Sequence, residues 1–365
     1  MAGIKDVARK AGVSITTASR VLNHVDYPVA AATRRRVEVA ARDLRYSPSA
    51  LARALVTRRS GIIGVLVGDM VDPYFAEIAR GVEDAARRAG YLVIVCNTDR
   101  DPAVERRYVE TLSDYRVDAL IFAGGERVGA SERRKLKQVL AVAIKRGMLA
   151  VACAGEHAGL PAIDIDHASA AHQMVEHLLS LGHRRIGFIG GTADVSTAGQ
   201  RKAGFRAAML AAGLEPTLTV NGDFTYAGGF EAARRLLASD GPTAIFAAND
   251  EMALGAVDAA RMAGLRVPED LSVVGFGNTS VALRARPALT TVSMPRHELG
   301  VAAMDAILAA LESRVTPVER SGTRVNPVER SGTRATRIEA RQLPFDIVVR
   351  ASSAPLAPGK EARVA

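Results

Sequence analysis

Apolar positions recur every three to four residues through the first part of the chain, then give way to short continuous runs. Ile4, Val7, Ala8 and Ala11 fall on one side of a helix that Gly12 closes as a C-cap. Ser14 supplies the N-cap of a second helix, in which Ala18, Val21 and Leu22 face inward while Ile15, Thr16, Thr17 and Arg20 face out. Val37, Ala41 and Leu44, spaced i, i+4 and i+7, give a third helix whose stripe can close a small core. Helix, short turn and polar-faced helix is the helix-turn-helix arrangement, in which the second helix lies in the major groove. A helical hairpin inside an unrelated domain would show the same pattern.

From Gly61 onward, apolar runs alternate with helical stretches: GIIGVLVGD, a helix from 75, YLVIVCNT, a helix near 103–115, DALIFAGG, a helix near 131–146, and LAVACAG. This alternation predicts a doubly wound parallel sheet. The pattern restarts with AIDID at 162–166 and continues through RRIGFIGG, LTVNGDF, AIFAAND and LSVVGFG, each followed by a helix. The expectation is an α/β body of two lobes, with ligands bound at the strand carboxyl ends in the cleft between them. LTTVSMP and the helix from about 296 are expected to return to the first lobe, and LPFDIVVRAS to finish the second. The first lobe then holds about 61–161 and 291–316, and the second about 162–289 and 337–350.

Charge changes this picture at one end only. Residues 1–60 hold 12 Lys or Arg against 4 Asp or Glu, while the whole chain carries 48 against 39 and a net +9. A basic excess confined to the helix-turn-helix segment marks where a polyanion would dock, although a solvated basic face is the plainer reading of charge alone. No apolar run approaches the roughly 18 residues of a membrane span, and the opening MAGIKDVARK lacks the apolar core of a secretion signal. A cytoplasmic protein without membrane contact is expected. Cys96 and Cys153 lie in apolar runs and read as reduced, buried thiols. His172 and His177 are spaced five apart rather than four, so no metal site is expected. No cofactor signature appears either: Gly187–Gly191 fits neither a dinucleotide fingerprint nor a P-loop, and no nucleophile elbow or carboxylate pair points to an enzyme.

The stretches IKDVARKAGVSITTASRVLN (4–23) and TRRRVEVAARDLRYSPSALARAL (33–55) resemble the opening of lactose-repressor (LacI/GalR) regulators nearly position for position. DPYF, GHRRIGFIGG, QRKAGF, ANDEMALGA, VPEDLSVVGF and LTTV extend the resemblance through the body, in the expected order. It implies a helix-turn-helix domain over 1–46, a hinge helix and linker over 47–60, and a periplasmic-binding-protein-like effector and dimerisation body over 61–350. It also implies a non-enzymatic repressor that binds pseudo-palindromic operator DNA as a homodimer or a tetramer.

By the same resemblance Ile15, Thr16 and Arg20 read base edges, with Arg20 able to reach guanine O6 and N7. Lys5, Ser14, Thr17, Ser19 and Asn23 sit at DNA-contacting positions, most of them beside phosphates. Residues 47–55 are too few to hold a helix alone. The resemblance implies a hinge helix that forms on DNA, with Ala52 at the duplex and Leu55 wedged into the minor groove. One departure is Ala30, where the family usually places a capping Ser. Thr33 could serve instead by capping a slightly later start.

In the body the resemblance places Tyr74, Phe75, Arg201, Phe224, Asn249 and Asn278 around a small polar effector: a sugar, a nucleoside or a related metabolite. Two departures bear on its chemistry. Gly277 and Gly155 stand where sugar-binding members carry acidic residues, which implies a ligand that is anionic, that reaches further into the site, or that is not a simple hexose. The segment PVERSGTR occurs at 317–324 and again at 327–334. Its composition reads as a solvent-exposed, disordered insertion, and the tail from about Ser352 reads likewise.

Overall fold

The computed structural model describes residues 2–23, 27–47, 59–125, 130–238, 241–314 and 338–357. The expected hinge, with Ala52 and Leu55, and the duplicated segment lie outside the described residues. The chain divides into two compact units, residues 1–62 with 116–118, and residues 63–115 with 119–365.

In the first unit three helices enclose a core of small side chains: α1 (Ile4–Ala11), α2 (Ile15–Leu22) and α3 (Ala31–Asp43). Val7, Ala8, Ala11, Ala18, Val21, Val37, Ala40 and Ala41 are buried together, as the 3.6-residue periodicity requires. Gly12 adopts φ 63°, the left-handed geometry that lets the chain turn sharply between α1 and α2. Ser14 Oγ then accepts from the Thr17 amide at 3.0 Å, starting α2. α3 begins at Ala31, so Ala30 is the N-cap and offers no side-chain bond. Thr33 does not cap a later start, and the missing cap costs about 1 kcal/mol. Lys10 and Asp43, 2.8 Å apart, tie α1 to the end of α3.

The second unit contains two sheets wound alike. The first runs β2 (Leu92–Asn97), β1 (Ile62–Val67), β3 (Ala119–Ala123), β4 (Leu149–Cys153), β5 (Ala162–Asp164) and β11 (Arg341–Gln342). The second runs β7 (Thr219–Asn221), β6 (Ile186–Gly190), β8 (Ala244–Ala247), β9 (Ser272–Gly277), β10 (Thr290–Ser293) and β12 (Asp346–Val348). From β1 through β11 and from β7 through β10 neighbouring strands pair in parallel, and β10 pairs with β12 antiparallel. The central strands β3, β4, β6, β8 and β9 are buried throughout, which explains their unbroken apolar runs.

Three lobe assignments from the sequence are corrected by this topology. AIDID does not restart the pattern: Ala152 and Cys153 of β4 pair with Ala162 and Ile163 of β5, completing the first sheet. LTTVS belongs to the second sheet, beside β9, so the return to the first lobe comes only at Met294–Pro295. Residues 337–350 are divided, with Arg341 and Gln342 pairing to β5 and Asp346–Val348 to β10. Short strands carry too little pattern to reveal which sheet they complete. The chain therefore crosses between lobes three times, near 165–166, 294–295 and 343–345.

Helices flank both sheets: α4 (Pro73–Arg88), α5 (Pro102–Asp114), α6 (Ala130–Lys145) and α12 (Arg296–Ser313) in the first lobe, and α7 (His167–Ser180), α8 (Ser196–Ala211), α9 (Tyr226–Leu237), α10 (Asp250–Met262) and the short α11 (Ser280–Arg284) in the second. α4 and α12 meet backbone to backbone. A Cβ on Gly81 would lie 2.0 Å from the His297 carbonyl oxygen, and one on Gly300 would lie 2.1 Å from that of Ile78.

The start of the tail is ordered, contrary to its composition. Ser352 is fully buried; its hydroxyl accepts from the Thr290 amide at 2.8 Å and donates to the Val273 carbonyl. Leu356 donates its amide to the Leu181 carbonyl at 2.8 Å. His183 bridges Thr243 and the Ala354 carbonyl, and His177 meets Ser353 at 3.2 Å. Burial holds both histidines below the ordinary pKa of 6.5. The folded state thus prefers neutral rings, so their contribution is complete above about pH 6.5 and is lost as pH falls below it. Thermal melts between about pH 7.5 and 5.5 should show a steeper loss of Tm for the wild type than for His183→Gln. Parallel slopes would mean that His183 stays as accessible to protons in the fold as out of it.

Candidate functional site

Capping sets the outer surface of α2. With Ser14 outside the helix and Ala18 and Val21 in the core, Ile15 and Thr16 project into solvent, Ile15 with 47% exposure. An isoleucine so exposed on an eight-residue helix is poorly placed for stability and well placed for apolar contact with a thymine methyl. Arg20 is half-buried because its guanidinium stacks over the Tyr27 ring at 3.8 Å, which restrains a long side chain before any ligand arrives. Thr17 shares a 2.9 Å hydroxyl contact with Ser14, and Asn23 donates to the Ser19 hydroxyl at 3.1 Å. Lys5 is exposed on α1. These eight positions share one small unit, with the polar and basic groups outside its core.

A deep cleft opens in the second unit at the carboxyl ends of both sheets, enclosing about 1000 Å³ that includes open solvent. Tyr74, Phe75, Arg201, Phe224 and Asn249 all line it. Tyr74 donates its hydroxyl to the Ala154 carbonyl at 2.9 Å, and burial pushes its pKa far up. Phe75 packs edge-on to Tyr74 and is wedged against Gly68 and Gly124, where a Cβ would come within 2.9 and 2.7 Å of its ring. Phe224 takes φ 69°, and its ring fills the space that a Gly191 side chain would need. Asn249 caps α10 through Met252 and donates to the Phe224 carbonyl, so its amide holds the Phe224 turn.

Arg201 is 5% exposed and lies on the Phe276 ring, 3.9 Å from its centroid. It donates to the Ala248 carbonyl and to His167 Nδ1. Since His167 accepts there, its proton sits on Nε2, 3.2 Å from Asp164 Oδ1. Burial lowers the pKa of His167, keeping the ring neutral.

Asn278 does not belong with the others. It is absent from the cleft wall; its amide donates to Ser293 at 3.0 Å and accepts from Arg350 at 2.6 Å. Its carbonyl accepts from the buried Arg296, which also pairs with Glu77 at 2.7 Å. Asn278 therefore joins second-lobe elements to α12 and α4, and φ 53° turns it away from the ligand space.

Among the cleft residues that sequence reasoning missed are Asp250, His157, Glu105 and Thr197. Asp250 is buried and accepts from the Thr279 amide and hydroxyl and from Thr291, with burial outweighing these bonds to raise its pKa. His157 stacks on Phe122 and stands 3.1 Å from Glu105. Thr197 precedes Arg201 by one helical turn, a spacing that could have revealed it.

Residues 3–49 match the profile of bacterial regulatory proteins of the lacI family, and residues 60–344 match that of periplasmic binding proteins and the sugar binding domain of the LacI family. The chain belongs to the LacI family. It is 37% identical over 305 residues to the HTH-type transcriptional regulator DegA of Bacillus subtilis, covering 81% of this chain and 88% of the relative. Against the HTH-type transcriptional repressor PurR of Photobacterium profundum it is 36% identical, covering 86% and 93%. A solved lac repressor dimer bound to operator and the anti-inducer ONPF superposes with a TM-score of 0.80 at 27% identity, over 97% of this chain and 99% of that one. As a LacI-family member the chain is a DNA-binding transcriptional regulator rather than an enzyme. Among the described residues no helix is long and apolar enough to cross a membrane.

Proposed function

We propose that this LacI-family chain is a cytoplasmic repressor that binds a pseudo-palindromic operator as a homodimer and changes operator affinity when a small metabolite fills the cleft. The observation that carries the reading is a helix-turn-helix with Ile15, Thr16 and a restrained Arg20 on its open face, in one chain with a two-lobed body whose cleft is lined by side chains from both lobes. Ile15, Thr16 and Arg20 read bases; Lys5, Ser14, Thr17, Ser19 and Asn23 set the register on phosphates; Ala52 and Leu55 engage the minor groove. A second copy fits the edge strand β2, which exposes Leu92, Ile94 and Val95, a strip that a monomer would leave in water. Effector binding works by differential affinity for the operator-competent and operator-incompetent states, a coupling of about 1–3 kcal/mol.

Selection of operators from a randomised DNA pool tests the reader. Exchanging Ile15 and Thr16 should alter the preferred bases at one or two positions of each half-site, because the apolar and hydroxyl groups trade places. An unchanged selected sequence would remove both residues from base reading.

A further inference from the structure

The second-lobe wall of the cleft contains polar groups that no described residue satisfies. α8 starts after Val195, which provides no capping side chain, and its first turn holds no acid. The Ser196 hydroxyl is buried without a hydrogen-bond partner. Thr197, 5% exposed, lines the cleft with no hydroxyl bond among the described residues. One turn further, Arg201 reaches the same space. Its contacts are a carbonyl, a neutral imidazole, the Met294 sulfur and the Phe276 ring, with no carboxylate among them. Asp164 and Asp250 act on the Arg201 charge without touching it, so a buried guanidinium remains that no carboxylate contacts directly.

The opposite wall leaves room for an anion directly across from the α8 start. A Cβ on Gly125 would lie 2.7 Å from Ser196 Oγ, so only bare backbone faces the helix start. At Gly155 a Cβ would lie 2.4 Å from the Gly125 nitrogen, which bars an acidic side chain there. Most acids in the cleft have partners of their own: Asp72 has Arg100 and the Tyr74 amide, Asp101 the α5 amides, Glu105 stands beside His157, and Asp250 has Thr279 and Thr291. Glu251 is pushed toward its neutral form by burial and by Asp72. At the start of α8 the groups that face the cleft are donors and a cation: the Ser196 and Thr197 hydroxyls and Arg201, with the helix dipole adding to them.

We propose that the cleft ligand carries an anionic group, a carboxylate or a phosphate, seated on the N-terminus of α8 between Ser196, Thr197 and Arg201. This assignment rests on the cleft being the effector site, and it names the chemical class that the site selects.

Calorimetry and thermal melting of the full-length protein test it, with inorganic phosphate, gluconate, glucose 6-phosphate and glucose as probes against chloride of matched ionic strength. Phosphate or gluconate should raise the Tm beyond chloride, and whichever gives the larger shift identifies the anion. Glucose 6-phosphate should bind at least about tenfold more tightly than glucose. Arg201→Gln and Thr197→Val should each weaken anion binding by roughly tenfold, with Arg201→Lys keeping part of it. Should Arg201→Gln fail to fold, the shape-conserving Thr197→Val carries the comparison. Anion shifts no larger than chloride, or shifts that survive Thr197→Val undiminished, overturn the proposal. Operator release by glucose without any anion binding also overturns it, yet leaves the effector reading standing. Anion binding at Arg201 that never changes operator affinity does the reverse.

Discussion

Asp250→Ala should lower the stability of the body by about 3 kcal/mol, because two or more buried donors lose their acceptor at once. Asp250 takes hydrogen bonds from the Thr279 amide, the Thr279 hydroxyl and Thr291, all inside the protein. Burial alone opposes the ionised carboxylate, as its raised pKa records, so part of what these bonds contribute is already spent on holding the charge. Removing the carboxylate leaves the donors facing an apolar gap. For a unit of this size the Tm should fall by roughly 6–12 °C. The loss should extend to ligand binding, since Asp250 opens the helix that Asn249 caps and Asn249 holds Phe224 in the cleft wall. Calorimetric melting of the variant checks the first effect. A change below about 1 kcal/mol would mean that water or a rotated threonine replaces the acceptor.

Gly300→Ala sets two effects of opposite sign against each other. Alanine is the better helix former, by about 1 kcal/mol. The new methyl, however, would stand 2.1 Å from a backbone oxygen of α4, and the reciprocal contact at Gly81 shows that neither helix has room to yield. Overpacking of this kind costs about 3 kcal/mol, so the net expectation is a loss of roughly 2 kcal/mol. Gly81→Ala combined with Gly300→Ala should cost less than the sum, since one separation of α4 and α12 relieves both clashes. Denaturant midpoints for the two single variants and the double variant decide the matter. A midpoint raised by Gly300→Ala would show that helix propensity wins and the crossing is loose.

Legibility from the sequence followed the strength of local signals. α1, α2 and the buried central strands were readable because each carries its own period or an unbroken apolar run, as in LAVAC. β5 and β10 went to the wrong lobe because strands of three or four residues say nothing about which sheet edge awaits them. The ordered start of the tail was missed for a related reason: Ser352 is buried by hydrogen bonds rather than by apolar character. At the cleft, five of the six residues that the resemblance implies line the wall, while Asn278 lies outside it with its amide held by Arg350 and Ser293. Asp250 was overlooked because a buried polar side chain looks, in sequence, like any other residue beginning a helix, whereas Thr197 carried a signal only in its one-turn spacing from Arg201.

The three crossings between lobes also bear on how the chain is made. Neither sheet is complete until residues 341–348 have been synthesised, because β11 closes the first and β12 the second. Until α12 emerges, the glycine-marked face of α4 has no partner. A nascent chain therefore carries two unfinished lobes until nearly its end, exposing apolar edges to whatever is nearby. The three-helix unit has its whole core within residues 7–41, so it can form while most of the body is still being translated. A reader able to meet DNA would then precede, on every chain, the apparatus that controls it.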